Sequence, residues 1–397
     1  MDPTYISSLD KVAGISPEER ARLAQVTDLF AFRSNDYYLS LIDWGDPGDP
    51  VRRLIVPTLE ELEPWGRLDP SSEHLYTPAP GLQHKYRETA LLLVSDQCGG
   101  FCRYCFRKRL FIDDTREVNK DISGALAYIR DHPEITNVLL TGGDPLILGT
   151  PRLREILARL REIEHVRIIR IGTKMPAYNP YRIINDPDLL DAIREYSLGE
   201  KSIYIMAQFN HPRELTHVAC RGVALLQDAG AVTMNQTPLI RGINDDPVVL
   251  SKLLGRLSFI GVNPYYVFQC RPTTGNRPFA VPVEESYRIF EQARATCSGL
   301  SKQARFVMSH ATGKIEVVGM TEGFTFFKYN QAADPADIGR FMIYRSNPEA
   351  YWFDDYTELV DEGAGRGGVD GLIGRSQDSL FCFLVDTILF LETQSRL

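Results

Sequence analysis

Cys98-Gly-Gly-Phe-Cys102-Arg-Tyr-Cys105 follows closely on an apolar run, Ala90-Leu-Leu-Leu-Val94, that reads as a buried strand. Three thiols fall within eight residues, separated by three and then two, on a loop at a strand end. A loop of that kind lets several thiolates converge on one small volume, which an iron–sulfur cluster requires. A four-iron, four-sulfur (4Fe-4S) cluster has four corners. Cys98, Cys102 and Cys105 would fill three and leave one iron open to an outside ligand. An open corner points to chemistry rather than to electron storage alone.

The competing readings are a zinc site or three unrelated buried thiols. Structural zinc needs four ligands, usually in paired Cys or Cys/His groups. The other cysteines here, Cys220, Cys270, Cys297 and Cys382, are single. A disulfide framework does not suit a 397-residue chain whose first residues, Met1-Asp-Pro-Thr-Tyr, are no signal peptide. Hydrophobic content of 44% supports a large core, and charged content of 24% argues against long disorder. A net charge of −8, with no basic tract longer than Arg107-Lys-Arg109, argues against nucleic acid as a partner. No apolar run reaches membrane-spanning length, so a cytoplasmic location, where thiols stay reduced, is expected.

Residues 1–80 read as an N-terminal helical extension without chemistry of its own. Ser16 is the expected cap of a helix that has Pro17 in its first turn, and 77–81 reads as linker. Across 81–300, strand-like runs alternate with helix-like ones: Ala90–Val94 then 117–131, Asn137–Leu140 then 151–163, Val166–Ile171 then 187–197, Ser202–Ala207 then 213–229, Val232–Asn235 then 247–258, Val262–Phe268 then 283–297. Six such units imply parallel strands with crossover helices. Lacking a dinucleotide-type GxGxxG, they predict a partial (β/α)6 TIM-like barrel, with chemistry at the C-terminal strand ends. Residues 301–397 read as a β-containing C-terminal extension. Arg305–His310 and Lys314–Val318 flank a hairpin turn, and strands are expected at Phe324–Tyr329 and Arg340–Arg345. A glycine-rich loop follows at 362–375, then an apolar run, Leu380–Leu391, that would dock on the body or on a second copy.

The cysteine spacing resembles that of radical S-adenosylmethionine (SAM) enzymes. In those, the open iron takes the amino and carboxylate groups of SAM, and an electron from a donor such as flavodoxin or ferredoxin releases a 5′-deoxyadenosyl radical. Thr141-Gly-Gly-Asp-Pro145, alone a turn, resembles the segment that binds SAM, so Gly142, Gly143 and Asp144 would line its methionine part. Tyr104 resembles the aromatic near the adenine. Further motifs, Arg170-Ile-Gly172, Phe209-Asn-His-Pro212, Asn235-Gln236, Arg241-Gly-Ile-Asn244 and Pro264-Tyr-Tyr266…Gln269-Cys270, resemble the lysine 2,3-aminomutase family between about 80 and 300. That family moves an amino group between neighbouring carbons with the help of pyridoxal phosphate (PLP). The resemblance gives Gln236 a place near SAM, Tyr86 a place in the PLP pocket, and Arg107 the substrate α-carboxylate; otherwise Arg107 is a surface charge.

Departures from the family pattern bear on the substrate. The arginine that grips the PLP phosphate is replaced by Thr89. Of the glycine-rich run before the PLP lysine only Ala311-Thr-Gly-Lys314 remains, so Lys314 is either that lysine or a strand residue after a turn. A family histidine near the site reads Gln208. The two aspartates that hold the distal amine of lysine read Arg271 and Ser309. Like charges a few ångströms apart repel by about 1 kcal/mol in water and several in a closed site, so Arg271 disfavours lysine and suits an anionic or hydrogen-bond-accepting group. The expectation is a radical SAM enzyme that abstracts hydrogen from a small amino-acid-like substrate, with PLP left open. The alternatives are a PLP-dependent 2,3-aminomutase using Lys314 and, in another class, a non-catalytic iron–sulfur module.

Overall fold

The computed structural model describes residues 2–112 and 117–363. Residues 364–397, which hold most of the segment 362–375 and the whole run Leu380–Leu391, lie outside them.

Twelve strands form one sheet in strict chain order: β1 (Leu82–Tyr86), β2 (Thr89–Ser95), β3 (Asn137–Gly142), β4 (Ile168–Thr173), β5 (Ile203–Ala207), β6 (Val232–Leu239), β7 (Asn263–Gln269), β8 (Arg305–Ser309), β9 (Gly313–Thr321), β10 (Phe324–Ala332), β11 (Phe341–Arg345) and β12 (Leu359–Gly363). β2 to β8 run parallel. A helix follows each of the first six: α2 (Ser123–Asp131), α3 (Thr150–Arg161), α4 (Pro187–Tyr196), α5 (His217–Asp228), α6 (Pro247–Phe259) and α7 (Val283–Ala295), with α1 (Pro17–Thr27) in the N-terminal segment. Sequential parallel strands with a helix after each are the pattern of a TIM-like barrel, here short of eight strands. The expected partial barrel is the observed architecture.

Local chemistry explains the element ends. Prolines open α1, α4 and α6, where a missing N–H costs nothing. Ser16, Asp186, Thr216 and Asp246 accept hydrogen bonds from first-turn amides of α1, α4, α5 and α6. The parallel strands bury Leu92, Leu140, Ile169 and Ile205 completely against Leu126, Leu157, Ile193 and Leu226 of the helices. Each such side chain contributes about 1.5–3 kcal/mol by leaving water.

Three details differ from expectation. The first barrel helix begins at Ser123 rather than near 117, because Asn119 and Asp121 turn the chain by accepting the amides of Asp121 and Ser123. Leu82–Tyr86, unassigned in the sequence, pairs antiparallel with β2. Its His84 and Lys85 mask the apolar pattern. β8 is the expected hairpin strand toward β9 but also runs parallel to β7, and so continues the barrel.

The cysteine loop is fixed from below. Arg103, between Cys102 and Tyr104, is 1% exposed. Its guanidinium donates to both carboxylate oxygens of Glu61 at 2.8–3.2 Å and to the Ala31 carbonyl at 3.0 Å. Lys108 Nζ reaches the same carboxylate at 3.3 Å. A buried pair gains little over an apolar contact, but breaking one strands a charge. Glu61→Ala would strand two, and chemical denaturation is expected to read a loss of about 3–5 kcal/mol, against under 1 kcal/mol for an exposed pair such as Arg194–Asp191.

Candidate active site

A cavity of about 300 Å³ lies among the C-terminal strand ends. Cys98, Cys102 and Cys105 enter it after β2, Gly142, Gly143 and Asp144 at the end of β3, Gln208 after β5, Gln236 from β6, Arg271 after β7, and Lys314 from the start of β9. Tyr86 from β1 and Tyr104 and Arg107 from the cysteine loop and its flank also line it, so the candidate cluster, cofactor and substrate residues share this cavity, whereas the motifs Phe209–Pro212 and Arg241–Asn244 lie off its lining.

The three sulfurs line the cavity close enough to act on one another. Burial raises the Cys98 thiol and pushes that of Cys105 up to about 11, so both hold their protons unless a metal replaces them. The Arg107 amide donates to Cys105 Sγ at 3.4 Å. Among the described residues no three Cys, His, Asp or Glu side chains pack tightly enough for one metal ion. The three thiols line the same cavity, and a four-iron body would meet each thiolate at a different corner.

Gly142-Gly143-Asp144 is strapped to the stretch leading into Cys98. The Gly143 amide donates to the Ser95 carbonyl at 2.6 Å and the Asp144 amide to the Gln97 carbonyl at 2.7 Å. Gly142 has φ +105°, and a Cβ on Gly143 would lie 2.2 Å from the Gln97 carbonyl oxygen, so neither position admits a side chain. The buried Asp144 carboxylate accepts from Thr173 Oγ1 and the Lys174 amide at 2.7 Å and the Leu146 amide at 3.0 Å. It braces the loop. Tyr104 donates to Asn210 Oδ1 at 2.7 Å and accepts from Gln208 Nε2 at 2.9 Å, which ties two candidate residues together. Gln236 sits at a bulge between β6 and β7.

The cavity also gathers arginines around the carboxylate of Glu73. Glu73 takes Arg107 Nε at 3.2 Å and Nη2 at 3.1 Å, and lies 2.6 Å from Arg109 and 3.7 Å from Arg271. Burial would raise the Glu73 carboxyl, but Arg107, Arg271 and Arg109 outweigh it and hold it well below the ordinary carboxylate range. Glu73, with Ser71 and Tyr76, comes from the segment expected to carry no chemistry; that expectation is corrected. Arg107 also donates to Thr141 at 2.8 Å, so most of its N–H groups are taken. Arg271 is freer: it stacks 3.7 Å over the Phe106 ring and donates to Ser71 Oγ at 3.0 Å. Ser71 in turn donates to the Ser309 carbonyl at 2.8 Å, which joins the two positions where the family has aspartates.

Lys314 is partly exposed because it faces the cavity, yet it lies deep in the protein. Its Nζ is 4.3 Å from the Tyr266 ring centre and 5.8 Å from those of Tyr86 and Phe268, and among the described residues no carboxylate pairs with it. Burial, then Arg170, Arg271 and Lys85, lower its ammonium to about 7. A half-neutral amine in an aromatic box fits attachment of an aldehyde cofactor such as PLP. Thr89, on the wall where the family has its phosphate-gripping arginine, does not help to hold one. The sequence reading missed the site roles of Glu73, Ser71, Lys85 and Lys174. Only the strand-end rule pointed to Lys174, directly after β4; Glu73 stands in an unpatterned turn, 34 residues before Arg107.

Residues 92–253 match the radical SAM superfamily. The chain is 56% identical over 359 residues to an Aquifex aeolicus (strain VF5) protein that bears a provisional L-lysine 2,3-aminomutase name, covering 90% of this chain and 96% of that one. It is 39% identical over 298 residues to the L-lysine 2,3-aminomutase of Clostridium subterminale (74% of this chain, 70% of that one). It is 34% identical over 300 residues to the glutamate 2,3-aminomutase of Clostridioides difficile (75% and 70%). Among the described residues no helix is long and apolar enough to cross a membrane.

The lowered ammonium of Lys314 gives a direct check. Below its midpoint the amine is protonated and inert; above it the neutral amine reacts. Reductive alkylation by a small aldehyde, followed by peptide mass spectrometry, should be half-maximal for Lys314 near pH 7, whereas an ordinary lysine titrates near about 10.4. A midpoint above about pH 9 would contradict the account of this site.

Proposed function

We infer the reaction type of this chain from its family and its substrate class from the cavity lining: it belongs to the lysine 2,3-aminomutase family of radical SAM enzymes, and is therefore an enzyme of the radical SAM type. Membership implies a 4Fe-4S cluster and SAM. We propose that it carries out an aminomutase-type hydrogen abstraction on a small α-amino acid whose side chain ends in an anionic or hydrogen-bond-accepting group, with PLP on Lys314. When bound, the cluster with SAM supplies a carbon-centred oxidant, and PLP supplies the conjugated system over which an amino group can shift.

The chain's own residues divide the work. Cys98, Cys102 and Cys105 hold the cluster and leave one corner open. The backbone at Gly142 and Gly143, braced by Asp144, and the Tyr104–Gln208 pair with Gln236 shape the SAM end. Lys314, half-neutral at physiological pH inside rings of Tyr86, Tyr266 and Phe268, offers a nucleophilic amine. Arg107, steadied by Glu73 and Thr141, has an Nη1 proton left for the α-carboxylate. Arg271 keeps its Nε and Nη2 edge for the distal group.

The observation that carries this reading is the Arg271–Ser71–Ser309 wall where an ammonium would need carboxylates. Around it Glu73 cancels one of the two charges of Arg107 and Arg271, and Glu117 pairs with Arg109 at 2.7 Å. Among these five groups one net positive charge remains, and Lys85 and Arg170 on the same cavity lining add to it, which favours an acid over lysine. The glutamate relative is consistent with that class. Thr89 favours a second reading, in which hydrogen is abstracted without PLP and the outcome is elimination, epimerisation or oxidation.

The anaerobically reconstituted, reduced protein, given SAM and single amino acids, separates these readings by its 5′-deoxyadenosine and β-amino acid products. Acidic or amide side chains should be turned over and lysine not. Arg271→Asp should cut kcat/KM for the best acidic substrate roughly ten- to a hundredfold, the worth of a charge-assisted hydrogen bond of about 1.5–3 kcal/mol, and admit lysine. Lysine as the best wild-type substrate, with Arg271→Asp silent, would sink the proposal. The visible absorption of lysine-bound PLP, lost in Lys314→Ala, supports the first reading; 5′-deoxyadenosine without that absorption supports the second.

A further inference from the structure

We propose that Tyr178 is a positioning residue for the cluster: its phenol donates a hydrogen bond to the Cys102 sulfur and thereby stabilises the reduced state. The inference rests on the cluster reading above. The phenol oxygen lies 3.2 Å from Cys102 Sγ, and among the described residues that sulfur is its partner. As a thiol Cys102 could donate or accept. As a cluster ligand it is a thiolate without a proton, so the phenol is the donor.

The surroundings hold the ring in place. Tyr178 ends a short helix, Met175–Tyr178, just after β4, and is 1% exposed. Its ring meets Tyr38 edge-on at 4.4 Å, and Asn35 Nδ2 fixes its carbonyl at 2.9 Å. Lys174 Nζ stands 5.4 Å from its ring centre. The cysteine loop makes room for it, since a Cβ on Gly100 would lie 3.0 Å from the ring's Cε1 and Cζ. The second glycine of Cys98-Gly-Gly-Phe-Cys102 thus has a steric reason to be there.

The step that the contact biases is one-electron reduction of the cluster by an external donor. One electron arrives, no bond to tyrosine forms and no proton is transferred. Reduction adds negative charge to the ligating sulfurs, so a hydrogen bond to one of them strengthens and the potential rises. Only the difference between the two redox states counts, a fraction of a full charge-assisted bond.

Tyr178→Phe keeps the ring and removes the donor. In an EPR-monitored redox titration of the anaerobically loaded protein, its reduced-to-oxidised ratio at the wild-type midpoint should fall about tenfold, a shift of about 59 mV to more negative potential for one electron, with iron content unchanged. Tyr37→Phe removes a phenol that bonds Thr216 and packs against the same apolar cluster as Tyr178, and should leave the midpoint alone. If Tyr178→Phe does not load, Gly100→Ala, which crowds the same ring, should shift the midpoint in the same direction. An unchanged midpoint in a loaded Tyr178→Phe protein, or an equal shift in Tyr37→Phe, overturns the proposal. Failure of the wild-type protein to take up iron would instead overturn the cluster reading on which it rests.

Discussion

Arg103 stands between two of the three cysteines, and among the described residues its charge meets one carboxylate, that of Glu61. That contact decides where the cysteine loop can lie. A loop of glycines and cysteines has little apolar surface to anchor it, and left to itself would sample many shapes. The guanidinium fork pins it to the N-terminal segment, while the Gly143 and Asp144 amides pin its lead-in to the next strand end. These contacts hold the loop so that its three sulfurs line one cavity. Holding the loop this way matters because Cys98 and Cys105 must give up protons that burial makes them reluctant to lose.

One cavity thus gathers three thiols beside a glycine-rich strand end, a lysine among aromatic rings, and guanidinium groups around Glu73. A carboxylate supplied by the protein itself keeps Arg107, Arg109 and Arg271 from repelling one another, and it sets how much positive charge is left for a substrate. The chain therefore uses its N-terminal segment twice, through Glu61 to hold the metal-binding loop and through Glu73 to tune the substrate end.

Much of this was legible in the sequence, and the reason is geometric. Cysteine spacing, strand–helix alternation and the glycines at a strand end are local patterns, and local patterns survive in a string of letters. The twelve-strand order extends those patterns to both sides. What stayed hidden depends on contacts between distant segments. Glu73 meets Arg107 and Arg271 only when the turn at 71–76 folds over the barrel mouth, and no periodicity announces that. β1 was missed because its polar edge residues break the apolar run, and the parallel pairing of β8 because a hairpin signal says nothing about the strand's other edge.

The central claim is that three cysteines hold a four-iron body and leave one iron to an outside ligand. Mössbauer spectroscopy of protein reconstituted with enriched iron, recorded with and without SAM, tests it most directly. The account predicts four irons per chain, one of which changes its spectrum when SAM is added. Four irons indifferent to SAM, or protein that takes up no iron under anaerobic reconstitution, would contradict it.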